Sequence, residues 1–191
     1  MTGYRFCPRC GSGLVARDTG GVSRPACPVE ACGFVVWDNP VPVIAAIVET
    51  AGQIVLARNV AWPEKVFGLV TGYLERDEAP EAAVAREVGE ELGLRATAVK
   101  LVGLYPFAQK NQLIIAYHVI ADGNIVLNEE LAEFRLIDPD KLKAWDFGTG
   151  PAVRDWLATR AAGADPAGAL TREGGRRRRA RSRARPSPRS R

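Results

Sequence analysis

Three glutamates near the middle of the chain carry the strongest chemical signal in the sequence. Glu87, Glu90 and Glu91 are spaced so that, on a helix, their side chains lie on one face within reach of each other. Crowded carboxylates repel one another unless cations neutralise them, and hard divalent ions such as Mg²⁺ or Mn²⁺ prefer oxygen ligands of this kind. A metal held there can polarise a phosphate and activate a water. The spacing alone is equally compatible with an ordinary solvated acidic face.

The element that must hold these acids is a predicted helix from Pro80 to Leu92. Proline suits the first helical position, and Gly93 suits the residue that ends a helix. An adjoining apolar stripe should face the core, so the acids should point into a cleft or solvent. That stripe consists of Val84, Val88 and Leu92.

The residues around this helix complete a longer pattern, G-x5-E-x7-R-E-U-x-E-E-x-G-U, in which U is apolar. Every defined position is matched from Gly72 to Leu94, with Glu78 and Arg86 filling the remaining charged positions. The segment resembles the central motif of the Nudix hydrolase family, and the resemblance covers roughly residues 40–160. It implies an α/β/α sandwich with a mixed sheet and a loop–helix–loop motif. The implied activity is metal-dependent hydrolysis of a pyrophosphate bond in a nucleoside diphosphate linked to another group.

The resemblance also assigns roles to individual residues. Glu87, Glu90 and Glu91 are implied ligands of a catalytic Mg²⁺ or Mn²⁺, with Glu87 also a candidate base. Gly72 is implied to offer its carbonyl to the metal. Glu78 and Arg86 are implied to brace the loop against the helix, and their spacing allows them to pair. A further catalytic or metal-binding candidate, by similarity to enzymes with an acid just before a late strand, is Glu133.

Three polar or aromatic residues are candidates for binding the substrate. Tyr73 can stack on a base, as every nucleobase ring permits, or can pack beside the loop. Gln109 and Gln112 can hydrogen-bond a substrate or simply be solvated. The tryptophans are expected in the core or at a domain interface; they are Trp37, Trp62, Trp145 and Trp156.

The four cysteines form two pairs near the N-terminus, Cys7 with Cys10 and Cys27 with Cys32. Two such pairs can close a tetrahedral Zn²⁺ site, which is structural because four thiolates leave no open position. A glycine follows each pair, as a tight turn requires. Reduced or redox-active thiols are the alternative. Clustered cysteines without a secretory signal favour a reducing, cytoplasmic setting.

A zinc ribbon ahead of a Nudix domain resembles the NADH pyrophosphatases and the ribbon-bearing enzymes that act on FAD or ADP-ribose. The NADH pyrophosphatases carry a Ser-Gln-Pro-Trp segment after the central motif. Here the corresponding stretch, residues 104–112, reads LYPFAQKNQ. FAD and ADP-ribose are therefore at least as good candidates as NADH.

Composition divides the chain of 191 residues into a zinc ribbon at 1–39, a Nudix domain at 40–160 and an Arg-rich, disordered tail at 161–191. The α+β domain is expected to begin its first strands near Pro42 and Gln53 and to end on a helix at Pro151–Thr159. Further strands are expected at Phe67–Thr71, Ala96–Tyr105, Gln112–Ala121 and Phe134–Ile137, with a turn of helix at Leu142–Ala144.

Charge is uneven, because residues 172–191 hold ten arginines and one acid, whereas the remainder carries a net charge of −5. The tail is interpreted as a solvated extension, with electrostatic contact to RNA as the alternative. No apolar stretch is long enough for a membrane span, and a homodimer is left open.

The competing functions are a nucleic-acid-binding or regulatory protein that uses the fold as a ligand sensor, and an enzyme that removes a nucleotide cap from RNA. Nudix-like regulators usually lose motif carboxylates, whereas this chain retains them, which favours the enzyme.

Overall fold

The computed structural model describes residues 3–163, which form a mixed sheet between two helices with a small Cys-rich unit ahead of it. The larger domain consists of β3 (Val41–Thr50), β4 (Gln53–Asn59), β5 (Val70–Tyr73), α1 (Pro80–Leu92), β6 (Arg95–Phe107), β7 (Gln112–Asp122), β8 (Leu131–Ile137) and α2 (Gly150–Gly163). Its sheet has the strand order β6-β7-β3-β4-β8, and β5 also pairs with β3. Among these strand pairs, only β3 with β7 is parallel.

The central strand β3 is buried on both faces, and its side chains pack alternately into two hydrophobic cores, one on each side of the sheet. Ile44 packs in the cluster that also contains Val84, Val88 and Leu92 of α1. Ile47 packs in the other cluster, with Val153 and Trp156 of α2. The predicted α/β/α sandwich is thereby confirmed, and the valine and leucine stripe of α1 faces the core as expected.

Two predicted segments differ from the structure for local reasons. The strand expected at Phe67–Thr71 begins only at Val70, because Gly68 exchanges backbone hydrogen bonds with Ala57 of β4 ahead of the pairing with β3. The turn of helix expected at Leu142–Ala144 lies at Pro139–Lys141 instead, where proline occupies the first helical position. Leu142 itself is extended and buried.

The unit ahead of the sheet contains a short hairpin of β1 (Val15–Thr19) and β2 (Val22–Ala26). Its turn, Gly20-Gly21, has positive φ at both positions, as a type I′ hairpin turn requires. Within residues 3–163, no helix combines the length and the apolar run needed to cross a lipid bilayer. The tail that the sequence singled out, at 161–191, lies almost wholly outside the described residues.

Candidate functional site

Helix α1 presents its acids at the edge of the core. It begins at Pro80 and ends at Leu92, after which Gly93 adopts the left-handed conformation with φ of 66°. The apolar stripe is fully buried, and Glu91, next to it, is only 7% exposed. By contrast, the Glu90 side chain is 57% exposed. The acids therefore run from a buried position to an open one along a single helix face.

Arg86 connects the preceding loop to this acidic face. Its Nε and Nη2 donate to the two carboxylate oxygens of Glu78 at 2.8 and 3.0 Å. Its Nη1 donates to Glu87 at 2.8 Å and to Glu90 at 2.9 Å, and Nη2 also reaches the Tyr73 carbonyl. The guanidinium lowers the pKa of Glu78 through these hydrogen bonds. A planar donor with five N–H groups is suited to such a hub, which a lysine cannot reproduce.

Gly72 lies directly against the Glu87 side chain. A Cβ at position 72 would overlap the Glu87 carboxylate and would lie 2.6 Å from its Cγ. Because Arg86 Nη1 also donates to that carboxylate at 2.8 Å, a shift of the side chain would break this contact. The close approach explains why glycine stands at the start of the loop.

The acidic face retains negative charge that Arg86 does not neutralise. Burial, together with the nearby charges of Glu87, Glu130 and Glu90, raises the pKa of Glu91 to about 7. Burial is also the largest cause that raises the pKa of Glu87, against the opposing effect of Arg86. Carboxylates held close together despite mutual repulsion and the loss of solvation are typical of sites that bind cations.

These acids line a cavity of about 840 Å³ that six aromatic side chains also line. The cavity is large enough for a nucleotide-sized ligand. Lys65 and Lys110 also line it. The aromatic lining consists of Trp62, Phe67, Tyr73, Phe107, Trp145 and Phe147.

Two of these rings are fixed by specific contacts. The guanidinium carbon of Arg135 lies 3.8 Å from the centre of the Phe67 ring, which is close for a cation–π contact. A Cβ on Gly68 would lie 3.1 Å from the Trp62 ring, so glycine there lets the indole pack against the backbone. The expectation of buried tryptophans holds for Trp156, but Trp62 lines the cavity and Trp37 is 55% exposed.

Besides the three motif glutamates, Glu75 and Glu130 line the cavity, whereas Glu133 does not. Strand β8 begins at Leu131, three residues before the predicted start, so Glu133 lies inside the strand and pairs with Arg58 at 3.2 Å. The segment that carries Glu130 is joined to the end of α1, because Asn128 N–H donates to the Glu91 carbonyl. This contact spans a long loop, and no local pattern in the sequence signals it.

The candidate substrate residues are placed unequally. Tyr73 and Gln112 line the cavity, and the Gln112 amide lies 3.5 Å from the Tyr73 hydroxyl. Gln109 is exposed in a 3₁₀ turn at Ala108–Lys110, outside the cavity lining. The sequence did not single out Phe107 or Lys110, which flank Gln109 and do line the cavity.

The four cysteine sulfurs converge in the unit ahead of the sheet, and all lie within 4.8 Å of one another. The Cys7 and Cys32 sulfurs are 3.6 Å apart, and those of Cys10 and Cys27 are 3.4 Å apart. A tetrahedral zinc site with Zn–S bonds of about 2.3 Å has sulfur–sulfur edges of about 3.8 Å. The longer gap in the second pair therefore does not prevent closure of a four-sulfur cluster.

The backbone folds tightly around these sulfurs. Cys7 accepts a hydrogen bond from Gly11 N–H at 2.8 Å, and Gly11 has a φ of 76°. Gly33, after the second pair, has a φ of 63°.

The thiols differ in how readily they ionise. Burial raises the pKa of the Cys27 thiol to about 12, whereas hydrogen bonds with Ser12 lower the pKa of the Cys10 thiol to about 6.

Comparison with known families identifies the larger domain. The NUDIX domain model matches residues 38–157, so the chain belongs to this family. A crystal structure of a NUDIX hydrolase from Nitrosomonas europaea superimposes with a TM-score of 0.69, over 84% of this chain and 94% of that one. At 22% identity, this second likeness shows the fold alone.

Curated relatives include proteins called NAD-capped RNA hydrolase NudC. That of Mycobacterium bovis (strain BCG / Pasteur 1173P2) is 34% identical over 117 residues, which is 60% of this chain and 36% of that protein. That of Stutzerimonas stutzeri (strain A1501) is 32% identical over 143 residues, which is 74% of this chain and 50% of that protein. The chain thus spans between about a third and a half of the length of these relatives.

Proposed function

We propose that this chain is a metal-dependent pyrophosphohydrolase that acts on a nucleoside diphosphate linked to another group. The observation that carries the proposal is one cavity that combines five carboxylates with six aromatic side chains. Flat rings can hold a base by stacking. The acidic cluster can hold the cations that a pyrophosphate needs.

The residues present fit a divalent cation. Glu87, Glu90, Glu91 and Glu130 offer hard oxygen ligands, and burial among these carboxylates raises the pKa of Glu91, which a bound cation would offset. The Gly72 carbonyl is a further candidate ligand on the same cavity wall. When bound, Mg²⁺ or Mn²⁺ offsets phosphate charge and lowers the pKa of the attacking water.

The protein residues would position the reactants for a single displacement. Water adds to one phosphorus, the bridging P–O bond breaks, and two phosphate monoesters leave. Glu87, held against Gly72 and Arg86, is placed to accept the proton of the attacking water. Lys65 and Lys110 can neutralise phosphate oxygens, and the Tyr73 and Trp145 rings can stack on the base.

Residues 1–39 are proposed to be a zinc ribbon and residues 40–160 the hydrolase domain. The sulfur–sulfur distances of Cys7, Cys10, Cys27 and Cys32 fit a closed, structural Zn²⁺ site. Thiolate ligands of this kind are compatible with a reducing, cytoplasmic setting.

The substrates to test are NADH, FAD and ADP-ribose. The experiment is a panel of these dinucleotide-type compounds with Mg²⁺ or Mn²⁺, with release of AMP as the measured quantity. We expect AMP from at least one member, only when metal is present. Tight binding of a panel member without cleavage would instead support a ligand sensor.

Removal of a nucleotide cap from RNA is the second candidate. It is favoured by the curated relatives, which are called NAD-capped RNA hydrolases. Their substrate contains the same kind of pyrophosphate bond as a free dinucleotide. This chain departs from the NADH pyrophosphatase pattern at residues 104–112, where Phe107 and Lys110 contribute to the cavity wall.

Glu130 is proposed to act with the motif glutamates, and Glu133 provides a matched control. Glu130→Gln should lower kcat by about tenfold or more, because it removes charge from the metal site. Glu133→Gln should change kcat by less than about twofold, because this side chain pairs with Arg58 at a half-exposed position. The rates are measured side by side on the best panel substrate. The opposite ranking would restore Glu133 as the functional acid.

Deletion of residues 172–191 should leave turnover of a free dinucleotide nearly unchanged, because every proposed site residue lies upstream. If a capped RNA is cleaved, the same deletion should weaken its binding and reduce the salt dependence. Steady-state kinetics on both substrates at two salt concentrations provide the measurement. A large loss on the free dinucleotide would show that the tail contributes to the fold or the site.

A further inference from the structure

One face of the ribbon hairpin exposes apolar and cationic side chains that the proposed function does not use. Residues directly opposite each other in an antiparallel pair share a face. Arg17 and Arg24 therefore share one face of the hairpin with Thr19 and Val22. Gly13 precedes Arg17 by four residues, so Phe6, which pairs with Gly13, lies on the same side by alternation. On this face Phe6 is 65% exposed and Val22 is 49% exposed. None of these paired positions carries an acid.

Two features indicate that this face binds a ligand that carries both negative charge and aromatic bases. Arg17 and Arg24 stand directly opposite one another, and like charges at opposed positions destabilise a sheet, although Arg24 Nη1 also donates to the Thr19 carbonyl at 2.7 Å. A bound anion would relieve this repulsion. The Arg24 guanidinium also lies 5.2 Å from the centre of the Trp37 ring, which is 55% exposed. Arginines beside exposed aromatic rings are the pattern by which proteins bind single-stranded nucleic acid.

The residue after Trp37 is hydrogen-bonded to the chain beside the cavity. Trp37 is followed by Asp38, whose carbonyl and carboxylate accept hydrogen bonds from the Asn111 amide at 3.2 Å. Asn111 lies between Lys110 and Gln112, and both of these neighbours line the cavity. A ligand chain that leaves the cavity at Lys110 can therefore pass onto Trp37 and the paired arginines.

We propose that this face binds the single-stranded RNA that follows the nucleotide in the cavity, with phosphates on Arg17 and Arg24 and a base on Trp37. The inference rests on the proposed function in one respect, because the RNA is taken to be attached to the dinucleotide that is cleaved. It adds a specific binding surface, formed by the ribbon, to the second candidate substrate.

Binding can be tested without any cleavage, using the full chain and an uncapped single-stranded RNA of about twelve nucleotides, within the usual footprint of such surfaces. Arg17→Gln combined with Arg24→Gln should weaken binding several-fold and lower the slope of log affinity against log salt by roughly 1.4, two phosphate contacts' worth. Trp37→Leu should weaken binding and leave that slope unchanged. Arg5→Gln, next to Phe6 in sequence but on the opposite face, should change binding little and serves as the control. Fluorescence anisotropy gives both quantities, and the zinc content of each variant reports whether the ribbon is intact.

A second measurement separates this proposal from the function on which it rests. The ratio of kcat/KM for a dinucleotide-capped RNA to that for the free dinucleotide should fall in the double variant, through KM. If the wild type cleaves no dinucleotide while RNA binding still depends on Arg17 and Arg24, the surface stands and the proposed function fails. If the double variant binds RNA as well as Arg5→Gln does, the surface is refuted. A dimer that Phe6→Ser dissociates, with unchanged RNA affinity, would assign the face to a second copy and overturn the proposal.

Discussion

Glu91→Gln should cleave the best dinucleotide substrate at least about a hundredfold more slowly than the wild type. The amide keeps the shape of the side chain but loses the charge that holds a divalent ion, and electrostatic stabilisation of this kind is a main contributor to catalysis. Glu87→Gln and Glu90→Gln should show comparable losses. Initial rates at saturating Mg²⁺ give the comparison, and a chelator should abolish wild-type activity. The control variant Glu129→Gln, at an exposed position beside Glu130, should keep wild-type activity in the presence of Mg²⁺.

The fold should tolerate Glu91→Gln, which separates catalysis from stability. Because burial raises the folded-state pKa of Glu91 to about 7, above the ordinary value of 4.5, its ionisation opposes folding. This penalty is absent below about pH 4.5 and complete above about pH 7. In metal-free protein at pH 8, the melting temperature of the variant should therefore equal or exceed that of the wild type. A large decrease would mean that the loss of activity reports unfolding.

Loss of zinc should unfold the ribbon as a unit. Metal analysis should find about one zinc per chain in the wild type, and Cys7→Ser should lose it, because a closed site needs all four thiolates. In small zinc domains the binding free energy, about 10–16 kcal/mol, is also the folding free energy. Hydrogen exchange should then show loss of amide protection across the ribbon, with the α1 amides still protected.

The zinc prediction has a close control in Ser12. Its hydroxyl lies 3.5 Å from the Cys10 sulfur, but Ser12 is not one of the four proposed zinc ligands. Ser12→Ala should therefore retain zinc. Free-dinucleotide turnover should fall little in Cys7→Ser, because the proposed catalytic residues lie on the larger domain. Protein prepared under reducing, zinc-replete conditions that contains no zinc would contradict the ribbon assignment.

Features that depend on local sequence were predictable. The bounds of α1 follow from proline at its start, glycine after its end and the apolar stripe between them, and the structure has the same bounds. The pairing of Arg86 with Glu78 follows from the spacing of a loop that returns to the helix. The cysteine cluster follows from paired spacing and small turn residues. Each of these signals lies within a few residues of the feature that it predicts.

Features set by contacts between distant segments were not predictable. Glu130 reaches the cavity because a loop after β7 is joined to the end of α1 by backbone hydrogen bonds, which any residue type can form. Trp62 and Trp145 resemble core residues in sequence, but the fold places them around the cavity. Glu133 was selected for its position before a strand, and the strand begins earlier than its apolar residues indicated.

Metal-dependent hydrolysis of a pyrophosphate bond in this cavity can be followed by ³¹P NMR. A time course of the wild-type protein with the best panel substrate is recorded with Mg²⁺ and then with excess chelator. We expect the pyrophosphate resonances to be replaced by those of two phosphate monoesters only while Mg²⁺ is present. Unchanged pyrophosphate resonances for every panel substrate in the presence of Mg²⁺ or Mn²⁺, or equal conversion with chelator, would contradict this expectation.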